Sequence, residues 1–293
     1  MANKRVLIKR RKAVRNIHKI TRTMQLIATA RFQAAFKRAT ATKPYTEKLA
    51  ELVADLSDAA DDVDHPLMKT HDDVKKSAMV VITSKRGLCG GFNSNVLRTA
   101  IHHLDEQAKA GIETDVHMVG TKGINYFRFL GRPLTEQLTD ISEVPRFDEI
   151  ERIANGLMDR FAKGEISSVY VAHTSFLSAA KQQAVALRLL PLSREAKDDR
   201  ETGARRTAVE YEFSPAPKEL LDELLPATVR ARMFQCFTDA TVSEHIARMV
   251  AMKAATDAAE DMITLLSRQY NRARQTHITM ELLDIIGGAN AIS

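Results

Sequence analysis

The sequence predicts an α/β chain in which the N- and C-terminal helices wind into a long antiparallel coiled coil and a compact α/β domain is inserted between them. Three observations predict it. Residues 1–43 contain neither Gly nor Pro and carry a heptad pattern, and so does a run of sixty residues without Gly or Pro from Ala227 to Ile286. Between these runs, short β-branched stretches alternate with amphipathic helical ones.

In the first segment, Ala13, Ile17, Ile20, Met24, Ile27, Arg31 and Ala34 step alternately by four and three, so one narrow and mostly apolar seam is expected along a helix. Pro44 predicts a kink or short break, after which Leu49, Leu52, Val53 and Leu56 resume a helical face to about residue 60. DHPLMKTHDD reads as a loop. AMVVIT (78–83) and VHMVG (116–120), separated by the helical NVLRTAIHHLDEQAKA, make a βαβ unit. GINYFRFLG, FDEIERIANGLMDRFAKG, ISSVYVAH and QAVALRLLPL continue the alternation, giving a Rossmann-like domain over 75–195. The charged run LSREAKDDRETGARRTAV supplies a polar loop and connector, 196–217. The last helix, 218–293, carries a second seam through Ala259, Ile263, Leu266, Tyr270, Ala273, His277 and Met280. Gly287 and Gly288 are expected to end it in a left-handed cap. Unbroken, sixty helical residues would extend about 90 Å, which exceeds the thickness of a domain of this size.

Composition narrows the function. Aromatics are 5%, Trp is absent, and Gly is 12 with Pro 8, so strong helix formers dominate. Two cysteines, Cys89 and Cys236, fall in no CxxC or Cys/His spacing, which fits a reducing, intracellular compartment. No window approaches the roughly 18 apolar residues of a membrane span, and Met1 to Lys12 lacks the apolar run of a secretory signal. The net charge of +6 is uneven: residues 1–43 hold thirteen Lys/Arg and no Asp or Glu, whereas the other 250 residues hold 30 basic against 37 acidic residues. The basic stripe suits nucleic-acid backbone contact, so a basic coiled-coil nucleic-acid-binding protein is the alternative reading.

Candidate chemistry is sparse. TSKRGLCGGFNSN joins a strand to a helix through Gly87, Gly90 and Gly91, but matches neither GxxxxGK[ST] nor GxGxxG, and reads as a tight turn. Cys89 has no His or Asp at a diagnostic distance. His102 and His103 are helix neighbours that point in different directions and cannot chelate one metal together. No catalytic residue, metal or cofactor is predicted.

The chain resembles the gamma subunit family of F-type ATP synthases, the central rotor shaft. KITRTMQLIATARF (19–32), RGLCGGFN (86–93), SEHIARMVAMKAATDAA (243–259) and YNRARQTHITMELLDIIGGANAI (270–292) carry the resemblance. It implies a non-catalytic coiled-coil shaft inside a 3:3 hexamer of alpha and beta subunits. The α/β domain would be a foot that meets the epsilon subunit and the c-subunit ring of a proton- or sodium-translocating complex. The place implied is the cytoplasmic face of a bacterial plasma membrane, touched only through the c ring. Arg274, Gln275 and Thr279 match family positions that contact the catch loops of beta, Met24 one near beta's acidic lever, and Tyr211 a foot position near epsilon. Relatives usually carry Lys-Ala where Arg22 and Thr23 stand, and Asp where Lys85 stands.

Overall fold

Near-continuous apolar strands separated by amphipathic helices build a parallel sheet that is covered on both faces. A computed structural model describes residues 4–59, 65–71, 73–192 and 217–292. Helix α1 (Lys4–Ala59) is followed by a 3-10 turn at Pro66–Met68, then β1 (Lys76–Ile82), α2 (Phe92–Lys109), β2 (Glu113–Val119), α3 (Thr121–Phe129), β3 (Glu136–Leu138), α4 (Phe147–Ala162), β4 (Ser168–Phe176), β5 (Gln182–Leu190) and α5 (Pro217–Ile292). The sheet order is β3-β2-β1-β4-β5, parallel except for β5, which runs antiparallel to β4. The polar run assigned to 196–217 lies outside the described residues except for its last residue, where α5 begins.

Two units make up the chain: residues 31–247, and residues 1–30 together with 248–293. In the first, the period-2 alternation of β1 sends Ala78, Val80 and Ile82 to one face of the sheet and Met79 and Val81 to the other. On the first face, Ile150, Leu157 and Phe161 of α4 and Leu225, Met233 and Phe237 of α5 fill the core, with Leu56 of α1. On the other, Val96 and Leu97 of α2 and Ile124 and Phe127 of α3 do so. The inner halves of both terminal helices thus belong to the sheet's unit. Ala35 and Ala39 of α1 pack there on Val242 and Ile246 of α5.

In the second unit, α1 and α5 pack antiparallel. Leu7 and Val14 cluster with Ala259 and Leu266, Thr256 Oγ1 donates to Thr21 Oγ1 at 2.9 Å, and the Arg11 guanidinium lies 4.9 Å from the Tyr270 ring centroid. The heptad phase on α1 is one residue away from the predicted seam. Leu7, Val14, Thr21, Ala28 and then Ala35 are buried, while Ile17, Ile20 and Ile27 are 51%, 58% and 50% exposed. Small side chains let the two backbones approach, and an Ile at those positions would hold them apart. The α5 seam keeps its predicted phase through Ala259, Ile263, Leu266, Tyr270 and Ala273, but His277 and Met280 are exposed.

Neither the short break allowed for at Pro44 nor the cap expected at Gly287 and Gly288 forms. Helix α1 runs through Pro44. Both Pro44 and Thr40, whose carbonyl loses its donor, lie on the exposed side, where water replaces the missing bond. Helix α5 continues through Gly287 and Gly288, and no left-handed residue caps it there. A β-carbon on either glycine would meet nothing within 4 Å, so no packing forces the turn.

Candidate functional site

The glycine-rich turn after β1 spends its polar groups on itself. The Ser84 amide donates to Asn93 Oδ1 at 2.9 Å, the Asn93 amide donates to Ser84 Oγ at 2.8 Å and to Cys89 Sγ at 3.3 Å, and Ser84 Oγ donates to the Arg86 carbonyl at 2.6 Å. Cys89 is buried, which keeps it from acting as an exposed nucleophile. The neighbouring β2–α3 turn needs its glycine. Gly120 sits at φ +89°, and a β-carbon there would stand 2.2 Å from the Thr83 carbonyl oxygen. Thr83 locks the two turns together: its Oγ1 donates to the Val119 carbonyl at 2.6 Å and accepts from the Gly123 amide at 3.0 Å.

Titratable groups that depart from ordinary behaviour serve packing. Burial lowers the His173 pKa to about 4 and raises those of the Cys236 thiol and the Asp239 carboxyl. Asp239 accepts hydrogen bonds from Gln235 Nε2 at 2.8 Å and from the Phe176 amide at 3.5 Å. Burial also works against ionised Asp115, but Arg160 and Lys76 outweigh it, and its pKa is lowered. Among the described residues, no three His, Cys, Asp or Glu side chains are placed to hold a metal ion. Among the same residues, no helix is long and apolar enough to cross a membrane.

Of the residues singled out from the sequence, four lie at least partly on the surface. Met24 is half-buried between Thr21 and Ala28. Arg274, Gln275 and Thr279 are exposed on α5 beyond Ala273, the last residue of the seam. Helical spacing puts Gln275 and Thr279 on one stripe with Arg274 beside it. Thr279 Oγ1 donates to the Gln275 carbonyl at 3.0 Å, while the Arg274 guanidinium makes no ion pair among the described residues and points its donors at solvent. Met24 is not brought near them. Thr21 sits level with Thr256, and the eighteen residues from there to Arg274 span about 27 Å of helix. Tyr211 lies outside the described residues.

The resemblance already set the C-terminal stretch YNRARQTHITMELLDIIGGANAI of α5 among partner subunits, whereas the exposed isoleucines of α1 were not foreseen. On α1, Ile17, Ile20, Leu26 and Ile27 are exposed, and on α5, Ile278, Met280, Leu282, Leu283, Ile285 and Ile286 form an uncovered apolar tip. The available signal was an excess of large apolar residues over what a two-helix seam can bury. A contiguous apolar surface of this kind marks a protein interface.

Comparison with known proteins agrees with a partner-dependent shaft. The family model described as ATP synthase matches residues 3–292. The ATP synthase gamma chain of Rhodopirellula baltica is 43% identical, over 100% of this chain and 99% of its own length. That of Leptospira biflexa is 41% identical over the whole of both chains, and that of Haemophilus influenzae 37% over 96% of each. In fold, the chain resembles one from the Euglena gracilis mitochondrial ATP synthase OSCP/F1/c-ring assembly, with a TM-score of 0.67 at 18% identity, covering 99% of this chain and 94% of that one. A central stalk and c-ring chain from Tetrahymena thermophila gives 0.55, covering 80% of this chain and 99% of the other. End-to-end identity to gamma chains, together with two terminal helices that leave their large apolar residues uncovered, places this protein in the ATP synthase gamma chain family.

Proposed function

We propose that the chain couples rotation of a membrane ring to nucleotide binding by presenting different faces of one shaft to three equivalent catalytic sites. As a gamma chain it is the non-catalytic central-stalk subunit of an ATP synthase, and catalysis belongs to the beta subunits. Residues 1–60 and 218–293 serve as the shaft in a hexamer of three alpha and three beta subunits. Residues 75–195 serve as the foot on the c-subunit ring and epsilon, with 196–217 connecting the two and Tyr211 facing epsilon. The complex sits on the cytoplasmic face of a bacterial plasma membrane, which this chain meets only through the ring.

The mechanism is coupling by differential contact. One asymmetric shaft cannot touch three identical sites alike, so each site is biased toward a different nucleotide affinity, and rotation carries the bias around. Arg274, Gln275 and Thr279 engage the catch loops of beta, and Met24 lies near its acidic lever. The observation that carries this reading is the stretch of α5 from Arg274 to Asn290, exposed at every residue and rich in large apolar side chains. Such a helix end is ordered by what surrounds it.

Replacing both Arg274 and Gln275 by Ala tests the contacts. Hydrogen bonds to a charged group are worth about 1.5–3 kcal/mol each, so ATP turnover in the assembled complex should fall roughly tenfold or more. The isolated chain should keep its wild-type unfolding midpoint, because neither side chain packs within it. Wild-type turnover in the assembled double variant would remove these residues from the coupling surface.

A further inference from the structure

Within the sheet's unit, α1, α5 and the loop before α4 border a surface groove of about 410 Å³ that no side chain fills. Its walls are Ala34, Ala35 and Ala41 of α1, Val144 and Pro145 of the loop, and Phe234 of α5. Three alanines opposite one Phe leave the space open. The groove is open to solvent along Ala34, Arg38, Ala41 and Val144, which are exposed. It falls within the range of about 300–1,000 Å³ that small-molecule sites occupy.

The hydroxyls in the wall are already used. Thr42 Oγ1 donates to the Arg38 and Ala39 carbonyls, each at 3.2 Å. Thr238 Oγ1 donates to the Phe234 carbonyl at 2.9 Å and Thr241 Oγ1 to the Phe237 carbonyl at 2.8 Å. The hydroxyl protons of these threonines are therefore engaged within their own helices.

Charge is concentrated at the mouth and has one sign in excess. Glu143 is shared by two guanidiniums, with Arg31 Nη1 at 2.7 Å from Oε2 and Arg86 Nη2 at 3.0 Å from Oε1. Its negative charge is thereby offset. Arg38 also lines the groove, is exposed, and has no ion-pair partner among the described residues. His245 lines the α5 wall. An apolar groove under a net-positive rim is complementary to a compact apolar body with one anionic head.

We propose that this groove binds a free small amphiphilic anion: a fused-ring or medium-chain apolar body inside, and a single carboxylate or sulfonate held by Arg38 and Arg31. The proposal stands independently of the rotor reading.

The probe is 8-anilinonaphthalene-1-sulfonate, titrated into the full chain with alanine methyl groups isotopically labelled and followed by NMR. Dye fluorescence alone would not locate the site, because the apolar tip of α5 also attracts the dye. The Ala34, Ala35 and Ala41 methyl signals should shift together and saturate. Arg38→Ala should weaken that binding about tenfold, through loss of a charge-assisted contact. Ala34→Phe, made at an exposed position that lines the groove, should abolish the shifts of Ala35 and Ala41 at an unchanged melting temperature. Shifts confined to Ala289 at the tip, or wild-type affinity in both variants, would overturn the site. Equilibrium dialysis against the assembled complex completes the test: a complex with the wild-type chain should hold about one more dye molecule than one with the Ala34→Phe chain. Equal dye in the two would mean that a partner subunit covers the groove, and the small-molecule site would be wrong.

Discussion

The sheet's unit and the pair of outer helix halves place their large side chains oppositely. Around the sheet, Phe127, Phe161, Ile150 and Met118 are fully buried, and bulk supplies the core. Along the outer halves, the buried positions of α1 are Leu7, Val14, Thr21 and Ala28, and those of α5 are Met252, Thr256, Ala259 and Leu266. There Ile17, Ile20, Ile27, Val250, Met262 and Leu265 stand outside. The outer pair buries Thr21, Ala28, Thr256 and Ala259 among its few large seam residues and leaves Ile17, Ile20 and Ile27 outside, so it is a rod whose remaining apolar surface suits other chains.

The largest effect expected from breaking this contrast is in the sheet. Phe161→Ala, at a side chain with 0% exposure, should destabilise the full chain by about 3–5 kcal/mol in urea unfolding. A loss below about 1 kcal/mol would mean that α4 does not depend on its bulk. Next is His173, buried on β4, whose folded pKa of about 4 lies below the ordinary 6.5. The unfolded chain takes up a proton below pH 6.5 that the folded chain refuses until about pH 4. Stability is therefore full above pH 6.5 and is lost as pH falls through that window, by about 3 kcal/mol at 1.36 kcal/mol per pKa unit. His173→Gln should flatten this part of the pH profile; acid sensitivity equal to wild type would assign the loss to other groups. In the outer unit, Ala28, 1% exposed, is the sharpest position. Ala28→Leu adds bulk where the backbones approach and should cost about 1–3 kcal/mol by overpacking. A stabilised variant would show that the seam has room.

Which of these features were legible in the sequence follows from where their determinants lie. Strands β1, β2 and β4 announce themselves through apolar runs rich in β-branched residues, because burial on both faces demands them, whereas β5, with one Val and two buried residues, is marked by its apolar content alone. Strand β3, Glu136–Leu138, is three residues long and mostly exposed, so nothing in its composition distinguishes it from a loop. The heptad spacing on α1 was legible but its phase was not. Two adjacent registers share the same steps, hydrophobicity favours Ile17, Ile20 and Ile27, and close approach of the helices selects Thr21 and Ala28. Pro44 and Gly287 are ordinary breakers, yet solvent at one and an absence of packing at the other let the helix run on. Arg274, Gln275 and Thr279 were legible only through resemblance to gamma chains, since they lie past Ala273, the last residue of the seam, where no packing pattern marks them.

The smallest expected effect discriminates best between the two registers. Ile20 is 58% exposed on α1, and Ile and Ser have similar helix propensities, so Ile20→Ser should change the stability of the isolated chain by no more than about 0.5 kcal/mol. Had the seam run through Ile17, Ile20 and Ile27, the same change would bury a hydroxyl and vacate core volume, at a cost of about 2 kcal/mol or more. An unfolding curve that overlays wild type therefore fixes the small-residue register. Turnover of the complex rebuilt with the same variant then asks what the exposed isoleucines are for. If a partner covers them, assembly or turnover falls although the chain alone is unchanged, and the stability missing from the isolated rod is found in the interface.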